Sequence, residues 1–463
     1  MSRLNAVLRQ IDDGLEAAMK RWFDLLRIPS ISAVPAHAGD CRAAAAFMAD
    51  LLNAIGVAAE VRETAGLPMV VGHVAGHDRS RRVLFYGHYD VQPVDPLDEW
   101  KTDPFAPALV TGDDGRARVY ARGAADDKGQ LLTFIEALAA HMAVHGRPPV
   151  DVVILLEGEE ESGSPSLEPF LRANADELRA DMALICDTNQ WDADTPAITT
   201  RLRGLVHDEV TIKAAKADLH SGLFGGPAHN PLHIISHIIA DLWDDDGRVS
   251  LPGFYDGVPE LPEALRTQWA ALDMTDEKVM AQMGMQPPPA GERGYSALEL
   301  NWARPTAEIN GIGGGYQGPG AKTVIPAEAF FKISFRLVGK QDPLKVRAAF
   351  RDHVRARLPS GVTASFADDD GGASAAIEVD ENAPLVRLAA RALTDEWGKE
   401  PVMMGCGASI PVVASFRDIL GMDSLLMGFG LADDAIHSPN EKYDVACFHK
   451  GMRSWARLLD ALT

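Results

Sequence analysis

The chain has 463 residues, more than one ordinary core organises, and its 46% hydrophobic and 24% charged content is that of a globular protein. A formal charge of -22 argues against nucleic acid or an anionic membrane as the main partner, because both need basic patches. The four cysteines (Cys41, Cys186, Cys406, Cys447) form no C-x-x-C pair, so neither a disulfide framework nor a thiolate zinc site is expected. Residues 1–10 carry no apolar signal core and no run of about 18 apolar residues occurs, so the expected location is a reducing cytoplasm.

Residues 4–26 place apolar side chains at helical spacing, from Leu4 through Trp22 to Leu26, and Pro29 marks the stop. A second helix is expected over 42–55 and short strands over 58–61 and 69–74. Val83-Leu84-Phe85-Tyr86 reads as a buried strand and runs into Gly87-His88-Tyr89-Asp90-Val91. His88 and Asp90 are two apart, so on an extended segment they point the same way. An Asp so placed can accept the free ring N–H of a metal-bound His. Gly123-Ala124-Ala125-Asp126-Asp127-Lys128-Gly129 precedes a helix over 130–144, where two acids serve as capping residues or as ligands to cations.

Val152-Val153-Ile154-Leu155-Leu156 is β-branched and apolar throughout, the mark of a strand buried on both faces of a parallel sheet. It leads into Gly158-Glu159-Glu160-Glu161-Ser162-Gly163. Three acids at such a strand end repel one another. Either they lie in a solvated loop or a cation resolves the conflict. Residues 166–179 look helical, and Met182–Cys186 is a further buried strand ending at Asp187. His88, Asp126, the glutamates and Asp187 therefore all fall at or just past the carboxyl end of a strand or at the start of the next helix. In open α/β sheets that edge is where ligands bind.

From about Gly204 the pattern changes. Residues 206–213 alternate as in a half-exposed strand, Asp218-Leu219-His220-Ser221-Gly222 follows, and a helix is expected over 231–241. Residues 247–295 read as an irregular, proline-bearing insertion. Strands are expected over 298–309 and 324–338, a helix over 343–357 and a strand over 362–366. This β-α-β-β-α-β order is the split βαβ, ferredoxin-like pattern of a small inserted domain. Gly311-Ile312-Gly313-Gly314-Gly315 lacks the Lys-Ser/Thr of a phosphate loop and is assigned to loop backbone. From about Pro384 the first texture returns, with a helix over 385–397, a strand over 425–429, His437 just beyond it and a terminal helix to 462. The expected fold is thus α/β: a mixed-sheet catalytic domain of residues 1–204 and 384–463, carrying an inserted α+β domain of residues 205–383.

Collected, the acids and imidazoles are His88, Asp126, Glu160, Glu161, Asp187 and His437. Two imidazoles with carboxylates suit zinc or manganese better than magnesium or calcium. Five ligands and a spare carboxylate fit two divalent ions sharing a bridge, zinc first and manganese second. Spacing alone does not say which of Glu159, Glu160 and Glu161 take part.

These residues carry a resemblance to metallopeptidase family 20, the dinuclear zinc peptidases and deacylases, and within it to carnosinases and related dipeptidases. The matching stretches are Gly87–Pro93, Arg122–Gly129, Glu157–Ser164, Asp218–Gly222, Thr323–Pro326, Ser334–Val338, Ser409–Pro411 and His437-Ser438. The resemblance implies that Asp126 bridges the metals, that His88 and Asp187 hold one, and that Glu161 and His437 hold the other. The Glu-Glu-Ser-Gly ending selects Glu160 as the general base, and Asp90 orients His88. A cis peptide after Asp126 is also implied. The inserted domain would be a lid and dimerisation domain, so that the protein is a homodimer. His220 would reach the partner's active site and polarise the scissile carbonyl. Arg336 would grip a substrate carboxylate, with Thr323 and Ser409 adding hydrogen bonds. In the family, Asp at the place of Asp187 goes with dipeptidases and aminopeptidases, so the expected substrate is a dipeptide or short peptide with a free amine. The usual second Gly before the Ser is Ala408 here, a departure that bears on substrate preference. The competing readings are an N-acyl amino acid deacylase on the same site and a catalytically silent metal- or peptide-binding protein.

Overall fold

The computed structural model describes residues 3–367, 373–407 and 410–463. The chain divides into two compact units. One comprises Met1–Thr200, Val379–Met404 and Ser415–Thr463, the other Arg201–Glu378 and Gly405–Ala414.

The first unit is built on a mixed sheet. Its strands run in the order Ala58–Arg62, Met69–Val74, Val150–Glu157, Asp78–His88, Met182–Ile185, Asp423–Leu426 and Ala197–Leu202. The Val150–Glu157, Asp78–His88, Met182–Ile185 and Asp423–Leu426 strands pair in parallel, so their carboxyl ends lie along one edge. Residues 152–156 and 83–86 are buried on both faces, as a parallel sheet under helices requires. The helices Arg3–Leu26, Lys128–His145 and Val445–Ala461 pack on one another. Trp22 stacks on Phe448 at 4.6 Å, and Phe134 stacks on Phe85 at 4.0 Å, which joins this helical layer to the sheet. The first turns of Lys128–His145 are buried all round, which fixes the loop leading into it.

The second unit is an antiparallel sheet in the order Thr306–Gly314, Glu328–Leu337, Gly204–Lys213 and Thr363–Phe366. With the helices Pro231–Ala240 and Pro343–Arg355, the chain order is β-α-β-β-α-β. Val206, Val210 and Ile212 point into its core against Phe331, Phe335 and Phe350. Asp208 is also buried, and its carboxylate accepts from Arg351 at 2.6 Å.

Four stretches differ from the sequence expectation. Residues 298–309 begin as the helix Ala297–Ala303 and become a strand only at Thr306–Gly314. Ser296 accepts from the Glu299 amide while the Glu299 carboxylate accepts from the Ser296 amide, a capping box that nucleates the helix. Leu298 and Trp302, four apart, are its buried face. Gly311 to Gly314 lie in that edge strand rather than in a loop, with a register shift between Ile309 and Gly311. Residues 324–338 form two strands, Val324–Ile325 and Glu328–Leu337, broken where Pro326 offers no donor. The stretch 247–295 contains the short helices Glu263–Ala270 and Asp276–Gln282.

Candidate metal centre and active site

The parallel strand ends bring the acids and imidazoles together. His88 closes its strand, is fully buried, and has Nε2 3.1 Å from Asp126 Oδ1 and 3.8 Å from Asp187 Oδ2. His437 lies in a loop after the Asp423–Leu426 strand, with Nε2 3.0 Å from Asp126 Oδ2 and 3.2 Å from Glu161 Oε2. Two donor sets result, His88/Asp126/Asp187 and Asp126/Glu161/His437, each with ligand atoms within 4.8 Å of one another. Asp126 belongs to both, one oxygen toward each histidine. Its peptide to Asp127 is cis.

The supporting groups orient this set. His88 Nδ1 lies 3.3 Å from Asp90 Oδ1 and 3.2 Å from the Asp90 carbonyl. A carboxylate there leaves Nε2 facing Asp126 and Asp187. The same Asp90 carboxylate accepts the amides of Glu160 and Glu161, at 3.3 and 3.1 Å, and so couples the His88 segment to the glutamates. Gln92 donates to Glu161 Oε2 at 2.7 Å. Asp127 accepts the His88 amide at 3.1 Å. Gly87 is small because a Cβ there would stand 2.9 Å from both Asp127 Oδ2 and Leu131 Cβ. His437 (φ +59°), Ala435 (φ +54°) and Asn440 (φ +66°) are all left-handed, so the His437 loop holds conformations that L-residues rarely adopt.

The three glutamates separate cleanly. Glu159 turns away: its carboxylate accepts the amides of Leu67 at 2.9 Å and Ser166 at 3.3 Å. Glu161 faces His437, and Glu160 stands free of both donor sets. Burial pushes the Glu160 carboxyl up to about 7, His88 pulls the other way, and Glu161, Asp126 and Asp90 raise it further. Asp187 is raised well above the carboxylate range, first by burial and then by Asp126 and Asp127. For Asp126 burial also acts upward, but hydrogen bonds from His437 and His88 prevail and hold it well below its ordinary value. A set of acids whose ion-pair partners are two imidazoles has the donor chemistry of a divalent-cation site.

The remaining expected residues lie in the second unit. His220 pairs with Val324, its Nδ1 accepts the Gly222 amide at 3.0 Å, and the Ser221 amide donates to the Thr323 carbonyl at 3.0 Å. His220 and Thr323 therefore sit side by side on the ribbon Leu219–His220 / Val324–Ile325. Arg336 is half-buried on Glu328–Leu337, opposite Thr306 and Leu205. Ser409 and Ala408 lie outside the described residues. The hydrogen bonds of Gln92, Asp127 and Glu159 were not read from the sequence, although all three residues lie within the matching stretches. Their work is done by hydrogen bonds to loop backbone or to Glu161, which spacing does not encode.

Peptidase family M20/M25/M40 matches residues 84–461. The chain belongs to this family. A Cys-Gly metallodipeptidase, dug1 of Schizosaccharomyces pombe, is 34% identical over 395 residues, covering 83% of this chain and 81% of the relative. Among M20 structures, human carnosine dipeptidase 1 superposes with TM-score 0.77 at 28% identity, covering 100% of this chain and 99% of that one. The metallo-carboxypeptidase Sso-CP2 of Sulfolobus solfataricus superposes with TM-score 0.78 at 30% identity, covering 96% and 98%. These M20 relatives span both the sheet that carries the donor sets and the inserted α+β unit. Among the described residues no helix is long and apolar enough to cross a membrane.

Proposed function

We propose that this chain is a metal-dependent dipeptidase that hydrolyses dipeptides or short peptides with a free amine. The observation that carries the reading is the pair of donor sets sharing Asp126, with Glu160 half-buried beside them and belonging to neither. In it Asp126 would be shared by both ions, His88 and Asp187 would hold one, and Glu161 and His437 would hold the other. Two divalent ions, zinc first and manganese second, supply the Lewis acidity that polarises a carbonyl and makes water a nucleophile near neutral pH. Glu160 takes the proton of the attacking water and delivers it to the leaving amine, a task that suits a carboxyl poised near 7. Asp90 fixes the His88 ring and the two glutamate amides through one carboxylate.

The second unit supplies substrate contacts in this reading. Arg336 binds the free carboxylate; Arg203, just before the neighbouring strand Gly204–Lys213, is lowered to about 10 by burial and then by the Arg336 charge, so a second guanidinium stands near it. His220, whose Nδ1 is held by the Gly222 amide, presents Nε2 outward to the carbonyl oxygen in the partner subunit of a homodimer. Thr323 and Ser409 add hydrogen bonds to the carboxylate end. Asp at position 187 and relatives named for Cys-Gly and Beta-Ala-His dipeptides favour a free-amine substrate. The four free cysteines suit a cytoplasmic location.

The test is a panel of free-amine dipeptides and matched N-acyl amino acids, offered to chelator-stripped protein reloaded with zinc or manganese. Cleavage of the dipeptides restored by metal is the expected result. Cleavage confined to the N-acyl compounds would make the protein a deacylase, and cleavage of neither would favour a silent binder.

A further inference from the structure

Beyond the ligands, one fully buried side chain ties their loops together. Glu441 follows His437 by four residues and is 0% exposed. Its Oε1 accepts the amides of Ala125 and Asp126, at 2.9 and 3.1 Å. Its Oε2 accepts the Gly123 amide at 2.9 Å and Arg122 Nη1 at 2.8 Å. The Glu441 carbonyl also accepts the Ala121 amide at 3.1 Å. Arg122 is itself buried, donates from Nη2 to the Pro93 carbonyl at 3.1 Å, and lies over the Trp100 ring at 5.3 Å. Pro93 belongs to the segment that follows His88, so one ion pair joins the His88, Asp126 and His437 loops.

The local backbone is shaped for this contact. Gly123 is left-handed at φ +80°, and a Cβ there would come 2.7 Å from Val91 Cγ1. That turn aims three amides at one carboxylate, a small anion-binding concavity filled by the chain's own glutamate. A buried ion pair alone is a weak source of stability, since desolvation offsets the attraction. A plain Arg–Glu pair would not need the amide of Asp126 among its donors. Because that residue is common to both donor sets, a small shift of its backbone displaces both at once.

We propose that Glu441, clamped by Arg122, is a positioning residue of the metal centre: it sets the Asp126 carboxylate between the two donor sets, and thereby governs metal affinity and turnover without touching substrate. This rests on the reading of Asp126 as the shared ligand. The test uses the full chain carrying Glu441→Gln, which keeps the size but turns an amide NH2 toward backbone donors, and Glu441→Asp, which keeps the charge but is one methylene shorter. Zn2+ affinity and stoichiometry are measured against a competing chelator, together with circular dichroism of the metal-free protein, kcat and KM. The expected result is a folded Glu441→Gln protein whose affinity for both ions falls at least tenfold. Its kcat at saturating Zn2+ falls at least tenfold with KM within about twofold, and Glu441→Asp is intermediate in both. If Glu441→Gln does not fold, Glu441→Asp is read by the same criteria. A folded variant with unchanged Zn2+ affinity and kcat would overturn the proposal. Asp126→Asn is the control: if it loses Zn2+ while the Glu441 variants keep it, the positioning role alone fails. If it holds two ions normally, the bridging reading fails and the proposal with it.

Discussion

The first unit buries two clusters of carboxylates, and they are answered differently. In one, Asp434 and Asp444 face Lys442, at 2.6 and 3.5 Å, and Asp444 also accepts from Arg118 at 3.0 Å. Burial still raises Asp434, but only to about 6, because Lys442 pulls the other way. In the other, Asp126, Asp187 and Glu161 face the imidazoles of His88 and His437 with Glu160 beside them, Gln92 donates to Glu161, and Asp187 is driven far above its ordinary value. An ammonium and a guanidinium are permanent cations that close the first cluster by themselves. Imidazoles are ligands as readily as cations, so the second cluster has the donor set that divalent ions would complete. The difference separates a structural ion network, fully buried at Asp434 and Asp444, from a candidate catalytic site whose Glu160, Glu161 and Asp187 are only half-buried.

Removing one charge from each cluster should therefore have opposite consequences, and the largest effect belongs to the unanswered one. Glu160→Gln is expected to lower kcat by about 100- to 10,000-fold, the usual worth of a general acid–base. Metal content should stay at two ions, and the metal-free protein should melt no lower than wild type, because a repelling charge has gone. Full activity in this variant would remove Glu160 from the mechanism. Lys442→Met, in the answered cluster, should leave turnover per folded molecule intact but cost about 3–5 kcal/mol in urea unfolding, because it strands buried carboxylates. A stability change under about 1 kcal/mol would break the comparison, since exposed pairs are worth that little.

A smaller effect concerns pH. Burial raises Glu160 and Glu441 to about 7 and Glu157 to about 8. A raised carboxyl binds more protons folded than unfolded, so its stabilisation is complete below the unfolded value near 4.5 and is lost as pH rises through 7 to 8. His437, raised to about 10 chiefly by Asp126 and Glu161, acts in the same direction over 6.5 to 10. The chelator-stripped protein should thus melt lower at pH 8 than at pH 5.5. Metal binding, which needs deprotonated ligands, should reverse that trend. A metal-free melting temperature that rises with pH would contradict the charge assignment.

Much of this was legible in the sequence because buried parallel strands are continuous β-branched runs. Val152–Leu156, Val83–Tyr86 and Met182–Ile185 announce themselves, and the residues just past them form the edge where Asp126, Glu161 and His437 converge. The helix Ala297–Ala303 was not legible: at 7 residues it spans too few turns for a periodic stripe, and its start depends on the Ser296–Glu299 hydrogen bonds. Nor was the split between Glu159 and Glu160 visible in spacing. It is set by which carboxylate meets the Leu67 and Ser166 amides, a contact across 92 residues in the first case. The hub at Glu441 escaped for the same reason, since its partners are backbone amides more than 300 residues earlier.

The most direct test of the central claim is anomalous X-ray scattering at the zinc edge from crystals of the reconstituted protein. Two peaks per chain are expected, one among His88, Asp126 and Asp187 and one among Asp126, Glu161 and His437. A single peak, or peaks at the Asp434–Lys442–Asp444 network, would contradict the claim that the unanswered carboxylates are the metal centre.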